Sequence, residues 1–312
     1  SIKKAFQLVD VAKKSNADFV KFQTYKTNNL VLPNAKKAKY QIGKSNENQF
    51  QMLKKSELSY DEFYRLYQYA KKKKIKFLSA PFDVESAYFL KKIGLKSIKI
   101  PSGEITNIPL LEFLSKTKLN LILSTGMSTL EEIDNAVKIL KKNSLSILHC
   151  NSAYPTPFED LNLRVIKFFL KKYKFAKIGF SDHSTGLEAG IAAATLGAQI
   201  IEKHFTVNKK LSGPDHKISL DPNELRLFVK QIRDVSVMLG SFNKKITNSE
   251  KNNIMPARKS IYAKKDIKKG EKFSELNLTI KRPQAGLKAS NWKKIIKKKS
   301  NYNFKKNQLI KV

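Results

Sequence analysis

Two histidines stand at matching places in successive apolar runs: His183 closes AKIGFSDH, residues 176–183, and His204 sits inside AQIIEKHF, residues 198–205. A small-residue stretch of helical character lies between them. If both runs are neighbouring parallel strands of one barrel, both imidazoles reach the rim where strand ends and βα loops build active sites. Two imidazoles so placed can share one metal ion. Gly213, Pro214 and Asp215 follow as a tight turn able to present a carboxylate over the same rim. Lys21 and Lys99 lie inside other apolar runs, where an ammonium is costly unless an anion pairs with it. Both therefore imply a phosphate or carboxylate in the barrel mouth. Ser102 and Ser124, beside Gly103 and Gly126, offer hydroxyls and turn amides suited to wrapping a phosphate. Gln23, Ser79, Glu104, Ser152, Tyr154, Ser181 and Glu202 are further polar residues at strand ends.

Plainer roles compete for some of these groups. His149 precedes Cys150 in an apolar strand and reads as a satisfied core histidine rather than a ligand. Cys150, the single cysteine, ends that run and reads as a buried structural thiol. His216 follows a turn and is equally readable as a surface residue. Glu104 can simply pair with a neighbouring lysine.

The elements that must hold the site are strands separated by amphipathic helices. The strand-length apolar runs are residues 17–24, 75–82, 97–103, 119–126, 145–152, 176–183 and 198–205, each ending in polar or Gly-rich residues. Helical periodicity marks residues 1–14, 60–73, 84–93, 110–116, 129–141, 163–172 and 225–239. This alternation predicts parallel βαβ units and an α/β, (β/α)8 TIM-type barrel. Seven strands preceded by a helix leave such a barrel one strand short, so the reading is an N-terminally truncated chain lacking its first strand. Residues 28–56 read as a long polar βα loop, the usual place for a substrate lid. The expected organisation is a barrel over residues 1–240, a polar linker over 241–256 and a small β-rich domain over 257–312.

At 312 residues and 41% apolar content the chain can bury a sizeable core. No apolar stretch is long enough to span a bilayer, and one cysteine fits a reducing cytoplasm. The net charge of +35 raises nucleic acid as a partner, a distant alternative to an enzymatic role. Only six of the basic residues are arginines, and they are scattered, whereas base readout leans on arginine forks. The lysines run along every helix, as a chain-wide lysine bias would place them.

The segments KFQT, SAPFD, KIPSGEITN, LSTGM, HCNSAYPTP, GFSDHSTG, EKHFT, GPDHKISL, ARKSIYAKKDIKKGE and KRP occur in an order and spacing that resemble the sialic acid synthase family. That family comprises N-acetylneuraminate synthases and their legionaminic acid relatives, barrel enzymes with a C-terminal antifreeze-like (SAF, β-clip) domain. The resemblance implies condensation of phosphoenolpyruvate with N-acetylmannosamine to a nine-carbon 3-deoxy-ulosonic acid and phosphate. The alternative is a legionaminic or pseudaminic acid synthase using a 2,4-diacetamido-trideoxyhexose. It further implies that His183 and His204 hold Mn2+ or Mg2+, and that Lys21 joins them in catalysis. Lys21, Lys99, Ser102, Ser124, Ser152 and Ser181 would cradle phosphoenolpyruvate, and Gln23, Tyr154, Asp215 and Arg282 would contact the sugar. Arg282, in KRPQAG, would come from a domain-swapped homodimer in which the C-terminal domain acts as a lid.

Three departures from the family pattern stand out. Its first-strand glutamate would lie upstream of Ser1, Ala80 replaces a threonine, and Gln284 replaces a glycine. Gly103 in the PSGE segment points to the mannose-configured branch over the pseudaminic one. A phosphoenolpyruvate-dependent aldol synthase making an octulosonate from a phosphorylated aldose is a further alternative; it would have no need of the C-terminal lid.

Overall fold

The structure is a computed structural model that describes residues 1–38, 41, 47–211, 213 and 215–311. Pro214 of the expected turn and part of the expected lid loop lie outside the described residues. Two compact units divide the chain, residues 1–240 and 241–312.

The first unit alternates helix and strand. Its elements are α1 (Ile2–Lys14), β1 (Phe19–Thr24), α2 (Thr27–Leu30), α3 (Gln49–Ser56), α4 (Tyr60–Lys72), β2 (Lys76–Pro81), α5 (Val84–Lys92), β3 (Ser97–Ile100), α6 (Ile108–Ser115), β4 (Asn120–Ser124), α7 (Leu130–Leu140), β5 (Leu145–Cys150), α8 (Arg164–Lys172), β6 (Lys177–Asp182), α9 (Glu188–Thr195), β7 (Ile200–Lys203) and α10 (Pro222–Leu239). All seven expected strands form, trimmed by one to three residues at their ends because the ladder stops where the chain turns. Polar N-caps start several of the helices, among them α4, α7 and α10. Ser59 with Glu62, Thr129 with Glu132 and Asp221 with Glu224 each form a reciprocal capping box. The segment expected to be loop holds a helix, α3, started by the same device between Asn48 and Gln51.

β1 pairs with β2, and β3 through β7 form one continuous ladder; every pairing is parallel. This is the α/β architecture of a (β/α)8-type barrel with seven strands in the chain. Among the described residues no ladder joins β7 back to β1. Side chains alternate across a strand, and lateral partners in a parallel ladder share a face. Lys21, Ala80, Lys99, Ser124, Cys150, Ser181 and Glu202 therefore project to one side. The opposite side packs against the helices in a core built around Val9, Phe63, Leu66, Leu90, Leu121 and Phe180. Ser79 belongs to that outer side, where its hydroxyl meets Thr24 Oγ1 at 2.7 Å, so it is a packing residue rather than part of the rim.

In the second unit are α11 (Asn248–Lys251), α12 (Ile254–Ala257), β8 (Ser260–Ala263), β9 (Leu278–Lys281) and α13 (Trp292–Ile295). The two strands are antiparallel and cover a core of their own, with Ile261, Phe273, Leu278 and Phe304 among its buried members. The four-residue helix α11 and all but the last residue of α12 lie inside the stretch expected to be a polar linker. Among the described residues no helix is long and apolar enough to cross a membrane.

Candidate active site

Glu202 is the hub of the inner face. Its Oε1 accepts hydrogen bonds from Lys21 Nζ at 3.0 Å, Lys99 Nζ at 2.9 Å and Ser181 Oγ at 2.8 Å. Strand alternation explains the convergence: Ser181 and Glu202 are Cα partners in the β6–β7 ladder and share a face. Lys21 and Lys99 reach them from β1 and β3. The chain thus supplies from within, as Glu202, an anion of the kind the two lysines demand. Burial raises the Glu202 pKa, but Lys21 and Lys99 outweigh it and hold the carboxyl well below the usual range. Burial pulls Lys99 down against the pull of Glu202.

His183 stands beside this hub. Its Nδ1 lies 2.6 Å from the carbonyl oxygen of Asn151, a pure acceptor, so Nδ1 carries the proton. Nε2 then keeps its lone pair, with Tyr154 Oη at 3.2 Å and Ser181 Oγ at 3.5 Å. Tyr154 stacks on His183 with ring centroids 4.2 Å apart and meets His204 edge-on at 5.7 Å. The two imidazole centroids are 5.3 Å apart. Backbone bonds from Leu220 N to His204 O and from Thr206 N to Leu220 O fix the turn that carries His204. Burial holds the His183 pKa down to about 4, and burial with the neighbouring His183 and Lys21 takes His204 to about 3. Both rings are therefore neutral lone-pair donors near pH 7. Neither ring nitrogen of His204 finds a hydrogen-bond partner among the described residues. No group of three or more His, Cys, Asp or Glu able to hold a metal ion forms among the described residues.

A second cradle adjoins the first. Ser102 Oγ accepts from Gly126 N at 2.9 Å. A Cβ on Gly126 would fall 2.2 Å from Ser152 Oγ, 3.0 Å from Ser102 Oγ and 3.3 Å from Cys150 Sγ, so only glycine lets these groups converge. Ser124 Oγ is fully buried and has no hydrogen-bond partner among the described residues. Such a hydroxyl is expensive to leave unpaired.

The remaining sequence candidates differ in burial and bonding. Gln23 is exposed near the end of β1 and Asp215 is half-buried, its pKa raised by burial; neither side chain is hydrogen-bonded among the described residues. Arg282 is an exposed residue of the second unit. His149 lies on the outer face, bonded through Nε2 to Leu161 O at 2.7 Å, as a core histidine should be. Cys150 is a free, buried thiol whose pKa burial raises, which makes it a poor nucleophile. His216 is tied to Thr206 Oγ1 at 2.7 Å rather than lying free on the surface. Glu104 accepts from Asn107 Nδ2 at 2.6 Å and not from a lysine. Sequence reasoning left Glu202 without a role. The available signal was its phase, since it is two residues before His204 in one apolar run and so expected on the same face.

The family described as "NeuB family" matches residues 8–244, and the "SAF domain" matches residues 258–311. The N,N'-diacetyllegionaminic acid synthase of Campylobacter jejuni is 46% identical, over 98% of this chain and 93% of its own length. The pseudaminic acid synthase of the same organism is 34% identical, over 98% and 90% respectively. Among solved structures, an N-acetylneuraminic acid (sialic acid) synthetase from Leptospira borgpetersenii in complex with citrate superposes with a TM-score of 0.72 at 36% identity, covering 81% of this chain and 85% of that one. A family match across most of the barrel, joined to near-full-length similarity, places the chain: it belongs to the NeuB family of sialic-acid-type synthases and carries an SAF domain over residues 258–311.

Proposed function

We propose that the protein condenses phosphoenolpyruvate with a 2,4-diacetamido-2,4,6-trideoxymannose to give a legionaminic-type nine-carbon acid and inorganic phosphate. The observation that carries the reaction class is the paired anion cradle: one buried and one half-buried ammonium held by one carboxylate, next to a buried hydroxyl with no partner among the described residues. Phosphoenolpyruvate has a phosphate and a carboxylate to satisfy both halves. The acceptor rests on the identity gradient, 46% to the legionaminic acid synthase against 34% to the pseudaminic acid synthase. N-acetylmannosamine, the acceptor first expected from the sequence, is the second reading, supported by the likeness to the sialic acid synthetase.

In this reading Lys21 and Lys99 bind the phosphoenolpyruvate anions, with Ser102, Ser124, Ser152 and Ser181 supplying hydroxyls. Glu202 holds both lysine side chains aimed into the site through its hydrogen bonds until the substrate arrives. His183 and His204 would hold a divalent cation, Mn2+ or Mg2+, whose contribution when bound is to polarise the acceptor aldehyde as a Lewis acid. The residues fit it: both imidazoles are neutral, His183 has its lone pair directed away from Asn151, and among the described residues His204 has both ring nitrogens unpaired. Tyr154, packed on both rings, is assigned to the sugar with Gln23 and Asp215, and Arg282 is assigned to the sugar of a second copy of the chain. In the overall balance, the phosphoenolpyruvate methylene carbon forms the new C–C bond to the aldehyde carbon, water adds at C2, and the C2–O bond to phosphate breaks.

The test is mass spectrometry after incubating the protein with phosphoenolpyruvate, Mn2+ and an equimolar mixture of the two acetamido sugars. A Mn2+-dependent product of the diacetamido acceptor is expected. A product of N-acetylmannosamine alone would select the second reading, and untouched phosphoenolpyruvate would remove both.

A further inference from the structure

Behind the two imidazoles, on the other face of the same strands, lies a buried ion pair. Asp182 immediately precedes His183, Lys203 immediately precedes His204, and the two are Cα partners in the β6–β7 ladder. Alternation sends both side chains away from Glu202 and Ser181, toward the helix layer. Lys203 Nζ donates to Asp182 Oδ2 at 2.7 Å, and the two side chains are 3% and 0% exposed. Lys203 also donates to the Ser184 carbonyl at 2.7 Å, while Asp182 Oδ1 accepts from Ser184 N at 2.9 Å and Ser184 Oγ at 2.6 Å. One closed set of bonds thus fastens the residue before His183, the residue after it and the residue before His204.

A pair this deep is a poor source of net stability, because desolvation offsets much of the Coulomb attraction. The adjacent partners on the same face, Phe180 and Ile201, show that apolar packing serves this layer. What the pair does supply is a fixed register and a fixed turn at the two positions that carry the imidazoles.

We infer that the Asp182–Lys203 pair is a positioning device that sets the separation and orientation of the His183 and His204 rings. The inference rests on the proposed reading of those rings as one donor pair. Neither residue touches substrate; both act through the backbone of the histidines.

The test compares Lys203→Met with a double variant that combines Lys203→Met and Asp182→Asn. The double variant leaves no unpaired buried charge, and the amide oxygen introduced by Asp182→Asn can still accept from Ser184, so its thermal unfolding is expected to return close to that of the unaltered protein. Two readouts follow: the imidazole 15N–1H correlation spectrum of the metal-free protein, and Mn2+ affinity from an electron paramagnetic resonance titration. In the double variant the His183 and His204 signals should shift or broaden while those of His149, held on its own carbonyl, stay in place. Mn2+ affinity should fall about tenfold or more, as loss of an outer support commonly does. Unchanged His183 and His204 signals in the double variant would overturn the inference, as would equal disturbance of His149. If the unaltered protein takes up no Mn2+, the metal assignment fails, and the ring spectra alone decide the positioning role.

Discussion

The ammonium of Lys99 donates to Glu202 Oε1 across 2.9 Å, joining β3 to β7 over a separation of 103 residues. The same oxygen serves Lys21, so one carboxylate joins both lysines. Under the proposed function, phosphoenolpyruvate would compete with this internal partner. Replacing Lys99 by Met should lower kcat/KM for phosphoenolpyruvate tenfold or more, about 1.5–3 kcal/mol for one hydrogen bond to a charged group. Steady-state kinetics at saturating sugar check this, and an effect confined to the sugar KM would contradict the cradle.

Ser124 Oγ is buried without a partner among the described residues, so it costs the substrate-free protein free energy. Ser124→Ala should leave the melting temperature unchanged or raise it slightly while weakening phosphoenolpyruvate binding severalfold. Calorimetric melting beside isothermal titration separates the two effects.

Gly126→Ala places a methyl group 2.2 Å from Ser152 Oγ. The hydroxyl can rotate away, so the fold should survive, with circular dichroism unchanged. The cradle would not, and KM for phosphoenolpyruvate should rise at least tenfold. Normal phosphoenolpyruvate kinetics in this variant would remove Ser152 and Ser102 from the site.

Glu57 supplies a pH dependence away from the chemistry. Burial raises its pKa, but bonds from Thr27 Oγ1 and N and from Lys54 prevail and bring it to about 2. A carboxyl with a folded pKa below its unfolded value of 4.5 contributes stability above about pH 4.5, and that contribution is lost as pH falls toward 2. Glu57→Gln should thus cost roughly 1–2 kcal/mol at pH 7, allowing for screening of its exposed lysine partner, and almost nothing near pH 2. Urea unfolding of both proteins across that range is the measurement.

Arg282→Ala should raise the sugar KM several-fold and leave that for phosphoenolpyruvate alone, because the assignment gives this guanidinium to the acceptor only. Unchanged sugar kinetics would remove the second unit from catalysis.

Much of the barrel was legible in the chain. Apolar runs of strand length, helix periods between them and capping residues such as Ser59 and Thr129 are local signals, and each element formed where they stood. α3 was missed because eight residues carry little periodicity, although Asn48 and Gln51 spelled its capping box. Ser79 was misplaced because a strand end says only that a residue alternates, not which face is the inner one. The β1–β2 register decided that by setting Ser79 beside Phe22 and Ala80 beside Gln23.

The sequence alone determined the order of strands and helices, the pairing of His183 with His204 on successive strand ends, and the need of Lys21 and Lys99 for an anion. Only the tertiary structure decided that the anion is Glu202, 181 and 103 positions away, and that Gly126 leaves room for Ser102 and Ser152 to converge. The physical reason is range. Periodicity and capping act over a few residues, whereas contacts across the inner face of a sheet depend on its register and curvature, which no single segment encodes.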